Sequence, residues 1–201
     1  MTEYMSHECG RKCLLELADL LDGQEIPYFL MQGTALGAYR DKGFTPTELD
    51  IDFGILQENL THKAAQLLTV LSQRGYEVES YILPFTVTRT LVAWKYGVKA
   101  DLVGIARWKD KRFTADPVRK SVLQPSAIVH EAGIMENYDI VEVFGRKFNV
   151  PKPIELYLKR EYDDWKTPRI DHCSRQRIYG YVRKAGIPLN FLEDNTNYYH
   201  K

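Results

Sequence analysis

Gln32 to Leu56 reads QGTALGAYRDKGFTPTELDIDFGIL, and its last eight residues, Leu49 to Leu56, decide how the rest is read. LDIDFGIL has the apolar content of a buried strand, yet it carries Asp50 and Asp52. Side chains alternate along a strand, so Asp50 and Asp52 share one face while Ile51 and Phe53 point to the other and join a core. Burying one ionised carboxylate without a partner is costly, and two side by side also repel. A divalent cation between them removes both penalties. Oxygen ligands of this kind suit magnesium or manganese, which keep several waters and bind substrate phosphates.

A third acid, Asp101, interrupts another apolar run, VKADLVGI, from Val98 to Ile105. If that run lies beside the first, Asp50, Asp52 and Asp101 converge, and such a set can hold one or two metals for displacement at phosphorus. Glu48 is a candidate fourth oxygen donor where the loop enters the strand. Upstream, IPYFLMQ (Ile26 to Gln32) reads as a short strand, Gly33-Thr34 as a turn, and Ala35 to Arg40 as two helical turns. A Gly-Thr turn opening a helix offers backbone N–H groups to a phosphate, and Arg40 is placed to clamp a pyrophosphate; its plainer role is an ion pair with Asp41 or Glu48. A lone D-x-D is a weak sign, since such pairs also sit on solvated strands. The order of strand, Gly-Thr, short helix, loop, D-x-D strand and later acidic strand carries the weight.

That order resembles the nucleotidyltransferase fold of the DNA polymerase β type: an α/β domain with a mixed central sheet flanked by helices, here with a small C-terminal helical part. More narrowly, GTALGAYRDKGFTPTELDIDFGI resembles the LicD/fukutin family, whose pattern is G-T-x-L-G-x-x-R, a G-F/I-x-P loop, then D-[IV]-D-x-G. Gly33, Thr34, Leu36, Gly37, Arg40, Gly43, Phe44, Pro46, Asp50, Asp52 and Gly54 supply it. EVFGRKFNVPKPIELYLKREYDDWKTP is similar to the family's closing pattern. Where the family often has P-W-D-D-D-I-D this chain has PTELDID, and Asp163 stands where the family has Gly. The resemblance implies a CDP-activated donor, a divalent metal and a hydroxyl acceptor on a glycan or polyol. Asp50, Asp52 and Asp101 would be catalytic and metal-binding, and Gly33, Thr34 and Arg40 would bind donor phosphate. Two reactions share these residues. One moves a phospho-alcohol group, of the ribitol phosphate or phosphocholine type, from CDP; Asp101 there binds a second metal or takes the acceptor's proton. The other adds NMP from an NTP to a small hydroxylated compound such as an aminoglycoside. A third reading, a non-catalytic binding domain, is disfavoured by the three retained acids.

The remainder is consistent with one domain over 1–201, with a core over about 9–106 and an extension over about 107–201. Hydrophobic residues make up 44%, enough for a packed core, and 27 basic against 27 acidic residues give no bulk attraction for nucleic acid. The opening MTEYMSHECGRKC is polar and no apolar run approaches the roughly 20 residues of a membrane span, so a cytoplasmic protein without stable membrane insertion is expected. Three cysteines fit reduced thiols. His7, Cys9, Cys13 and the distant His172–Cys173 match no closed zinc pattern, and Cys13 falls on the apolar face of a helix over Cys9 to Leu21.

Further expected elements are a helix over Thr61 to Arg74 capped by Thr61, and strands in YEVESYIL, FTVTRTLVAWKY and VKADLVGIARW. A hairpin around Gly145, a helix over Ile154 to Tyr162 and a last helix over Ser174 to Lys184 follow, while Lys109 to Tyr138 reads as irregular. Trp165 is read as a packing anchor, and Arg175, Arg177, Arg183 and Lys184 as a solvated face.

Overall fold

In a computed structural model, which describes residues 4–82, 89–115, 126–168 and 180–181, the D-x-D run forms strand β2, Asp50–Leu56. Ile51, Phe53 and Ile55 are fully buried, so alternation sends Asp50 and Asp52 to the opposite face. Each large apolar side chain removed from water in this way contributes about 1.5–3 kcal/mol.

Around β2 the elements run in order. Helix α1, His7–Gly23, is capped by the Ser6 hydroxyl, which accepts the Cys9 N–H. Strand β1, Phe29–Leu30, is far shorter than the run Ile26 to Gln32 suggested. Gln32 then turns with φ 49°, so Gly33-Thr34 is the first turn of helix α2, Gln32–Leu36, not a separate turn. A π-helical turn, Gly37–Asp41, continues it. Gly37 is needed there, because a Cβ would lie 2.6 Å from the Gly43 carbonyl and 2.9 Å from the Thr45 nitrogen.

Helix α3, Gln57–Gln73, begins four residues before Thr61. Thr61 is therefore no cap; its hydroxyl accepts from the Gln57 amide at 2.8 Å, and Gln57 in turn accepts the Arg89 N–H at 2.9 Å. Strands β3 (Glu77–Ile82), β4 (Arg89–Lys95) and β5 (Val98–Trp108) follow. β5 is the spine of the mixed sheet. It pairs in parallel with β2 over Lys99 to Ile105 and antiparallel with β4 over Val98 to Val103, while its far end passes to a further strand. The core gathers Leu14, Leu17 and Leu21 of α1, Leu60, Leu67 and Leu71 of α3, and Ala100 and Leu102 of β5 around the buried face of β2.

Part of the region read as irregular, Lys109 to Tyr138, is ordered. It forms β6 (Lys111–Ala115), β7 (Ser126–Glu131) and the short helix α4 (Ala132–Met135), with β6 joined to both β5 and β7. Arg112 hid this. It is 2% exposed inside β6 and forks onto Glu58 of α3 at 2.7 and 2.9 Å and onto Glu136 at 2.7 Å. A buried arginine with its partners supplied by distant elements looks, in sequence, like a solvated charge.

Strands β8 (Tyr138–Val143) and β9 (Arg146–Pro151) form the expected hairpin, with Phe144 and Gly145 both at positive φ as a tight two-residue turn requires. Arg146 fastens it to Asp19 and Asp22 of α1. Helix α5, Ile154–Tyr162, is where it was expected; the Asp139 carboxylate of β8 accepts its first N–H at 3.0 Å. His130 of β7 and Glu161 of α5, both buried, join at 2.8 Å. The helix expected over Ser174 to Lys184 lies outside the described residues except at Gly180–Tyr181, which form strand β10 beside β7. The basic cluster there lies outside them too.

Replacing Arg112 by alanine strands Glu58 and Glu136 against β6 and should cost on the order of 2–4 kcal/mol, less than a fully buried pair because Glu58 is half exposed. Urea unfolding checks this. A loss below about 0.5 kcal/mol, the range of an ordinary surface substitution, would show that Arg112 does not hold the two elements together.

Candidate active site

β2 and β5 run parallel with Asp52 opposite Asp101 and Asp50 opposite Lys99. Partners in a parallel ladder share a face, so the two strands bring three carboxylates to one place. Ligand oxygens of Asp50, Asp52 and Asp101 all lie within 4.8 Å of one another, the arrangement expected from the two acidic strands. Asp52 is 7% exposed, and Asp101 Oδ1 is buried and accepts no hydrogen bond among the described residues.

Lys99 is part of the same cluster and was not singled out in the sequence. Its ammonium donates to Asp101 Oδ2 at 2.7 Å and to Asp50 Oδ2 at 3.2 Å. The signal was present: Lys99 and Asp101 are two apart in a strand and must share a face. Burial pushes the Asp101 carboxyl above its usual range against the opposing pull of Lys99, with Asp50 adding to the rise. For Lys99, burial pulls the other way, but the charges and hydrogen bonds of Asp101 and Asp50 outweigh it and hold the ammonium above its ordinary value.

The donor set fits a hard divalent cation. It is all carboxylate oxygen, three negative charges meet one positive charge, and one buried oxygen lacks a hydrogen bond. The close group of ligand oxygens is that of Asp50, Asp52 and Asp101, and Glu48 lies beside Gly33. Glu48 sits in a turn ahead of β2, and its buried carboxylate faces Gly33 and accepts from the Thr45 hydroxyl at 3.2 Å.

Gly33 and Thr34 are close to the triad, and Thr34 supports it. Thr34 is buried and its hydroxyl accepts the Asp52 N–H at 2.9 Å, while Met31 N–H reaches the Asp52 carbonyl at 3.1 Å. A Cβ on Gly33 would lie 2.8 Å from Glu48 Oε2 and closer still to Oε1, so the glycine makes room for a carboxylate of this chain. The Tyr157 hydroxyl accepts the Gln32 N–H at 2.9 Å, holding the start of α2 from the C-terminal side.

Arg40 makes the ion pair with Asp41. It forms two bonds to Asp41, at 2.8 and 2.7 Å, and a third to the Trp165 carbonyl at 2.9 Å. Trp165 packs on Tyr39 with ring centres 5.6 Å apart, as a packing anchor does. Of the suggested zinc residues, His7 lies 3.2 Å from the Thr45 carbonyl, and Cys13 is fully buried with its thiol pushed up by burial to about 11, a poor ligand. His172 and Cys173 lie outside the described residues. Among the described residues no helix is long and apolar enough to cross a membrane.

Comparison with known proteins agrees with this geometry. The family described as LicD/FKTN/FKRP, nucleotidyltransferase domain, matches residues 25–152, which hold the whole triad. An uncharacterized protein of Rickettsia prowazekii is 27% identical over 197 residues, a match that spans 89% of this chain and 69% of that protein. One from Rickettsia typhi is 38% identical over 61 residues, 30% of this chain and 19% of its own length. Among solved structures, the lincosamide antibiotic adenylyltransferase LnuA, bound to lincomycin, is 14% identical with a TM-score of 0.52, covering 92% of this chain and all of that one. ANT(2")-Ia in complex with adenylyl-2"-tobramycin is 15% identical with a TM-score of 0.49, covering 94% of this chain and 98% of that one. The likeness to LnuA shows a shared nucleotidyltransferase fold.

Gly33→Ala should lower stability by about 1–3 kcal/mol through overpacking against Glu48. Combining it with Glu48→Ala should recover at least about 1 kcal/mol relative to the sum of the two single losses, because the clash partner is gone. Denaturant unfolding of the four proteins measures this, and additive losses would place Gly33 and Glu48 apart.

Proposed function

Because the chain belongs to the family of LicD/FKTN/FKRP nucleotidyltransferase domains, we propose that it is a metal-dependent transferase that moves a phospho-alcohol group, of the ribitol phosphate or phosphocholine type, from a CDP-activated donor to a hydroxyl of a glycan or polyol. The observation that carries this reading is the parallel register of β2 and β5, which sets Asp101 against Asp52 with one buried oxygen unpaired. Asp50, Asp52 and Asp101 are the residues that would hold magnesium or manganese. Bound there, such an ion supplies charge neutralisation for the donor diphosphate and the departing nucleotide.

The chain's own residues account for the rest. Asp50 and Asp52, fixed on one rigid strand, set where the reacting phosphorus lies. Thr34 holds the backbone of Asp52 in place. The acceptor hydroxyl must shed a proton to attack phosphorus, and Asp101 Oδ1 is where we place that proton. The new bond joins the acceptor oxygen to phosphorus while the bond from phosphorus to the CMP oxygen breaks, releasing CMP.

A second reading uses the same carboxylates. NMP would pass from an NTP to a small hydroxylated compound, with pyrophosphate as the leaving group. The shape shared with LnuA, an adenylyltransferase, supports keeping it.

Assays with labelled CDP-alcohols and labelled NTPs, run side by side with manganese, separate the two by which label reaches the acceptor. Asp50→Asn and Asp52→Asn should each abolish turnover without loss of fold. Asp101→Ala should cost at least about 10²-fold in kcat, the low end of what a positioned base provides. Near wild-type turnover by Asp50→Asn or Asp52→Asn at saturating donor would sink the carboxylate assignment.

A further inference from the structure

Lys99 has no part in the transfer as described, yet it is bound to two of the three carboxylates. Its ammonium bridges Asp101 of its own strand, at 2.7 Å, and Asp50 of the neighbouring strand, at 3.2 Å. The three acids carry three negative charges, and at separations below 5 Å their mutual repulsion is large in a partly buried site. Lys99 removes one of those charges. It is also the most exposed of the three side chains, at 38% against 27% for Asp50 and 19% for Asp101, and its flexible stem has more solvent to move into than the short acids do.

A divalent ion held by the triad would lie against the same two carboxylates that Lys99 now binds through their Oδ2 atoms. Two cations a few ångströms apart repel, so both cannot keep these positions. We propose that Lys99 is a built-in counter-ion of the carboxylate site. It ties β2 to β5 when no metal is bound, yields Asp50 and Asp101 when a divalent cation enters, and then pairs with an anionic oxygen of the donor's diphosphate. This rests on the reading that the triad takes a divalent cation. A freed ammonium at the rim faces the one negative group that such a donor brings beside the metal, and lysine suits it as a mobile point charge.

Three measurements on Lys99→Met test the inference, with Lys99→Arg as the variant that keeps the charge. Calorimetry with manganese and no donor should show affinity raised on the order of tenfold in Lys99→Met, since a competing charge is gone. Its melting temperature without metal should fall, and the rise on adding manganese should exceed that of the wild type. CDP affinity at saturating manganese should drop several-fold in Lys99→Met and be largely kept in Lys99→Arg. Manganese affinity unchanged or lowered in a folded Lys99→Met overturns the counter-ion role while leaving the metal site standing. CDP affinity unaffected by the substitution overturns the pairing with the donor. If neither the wild type nor Lys99→Met binds millimolar manganese, the metal reading itself fails and takes this inference with it.

Discussion

Charge repulsion among Asp50, Asp52 and Asp101 is the constraint around which this molecule is arranged. Three carboxylates within 4.8 Å of one another resist being brought together, so the backbone must hold them by force of packing. It does so with a seven-residue parallel ladder between β2 and β5 whose other face is filled by Ile51, Phe53 and Ile55. A one-residue slip of register would bury the acids and expose those side chains, so the hydrophobic core specifies the geometry of the site. β5 is central to this arrangement, paired with β2 on one side and β4 on the other.

Support comes from behind the strand as well. Met31 and Thr34 both bond the backbone of Asp52, and Gly33 leaves a space that the Glu48 carboxylate fills. The Gly-Thr pair thus acts on the acids through the position of Asp52. Glu48 accepts from the Thr45 hydroxyl, and Arg40 ties the π-helical turn to the Trp165 carbonyl.

How much of this was legible follows from where the partners lie. Alternation within LDIDFGIL and VKADLVGI is local, so the shared face of Asp50 and Asp52 and the convergence of Asp101 could be read directly. The hairpin at Gly145 and the helix over Ile154 to Tyr162 are local too. Glu48 could not be placed, because a turn and not an alternating strand sets the direction of its side chain. Lys99 was passed over because a lysine beside an acid looks like ordinary surface charge until Asp50 arrives from another strand. β6 and β7 were illegible because Arg112 takes its partners from α3 and from Glu136, outside the strand that carries it. Thr61 looked like a cap, but the buried Gln57 starts the helix a turn earlier by bonding Arg89 across to β4. For Lys99, Arg112 and Gln57 the deciding contact was distant in sequence.

The fastening of the first helical turn after β1 carries a consequence in time as well as in space. Tyr157 holds the Gln32 N–H, and the Trp165 carbonyl holds Arg40, each across 125 positions of chain; Glu155 accepts from Tyr39 across 116. A chain emerging from synthesis therefore makes β2 and both its acids long before it makes the residues that brace the segment leading into them. Such distant closures lengthen the search that folding must make. Until those C-terminal residues have been made, the Gln32 N–H and the third bond of Arg40 lack their partners, whereas the bonds of Thr34 and Met31 to Asp52 and of Lys99 to Asp50 and Asp101 need no residue of α5. The bracing of the segment ahead of β2 is thus drawn from residues that the chain adds more than a hundred positions after it.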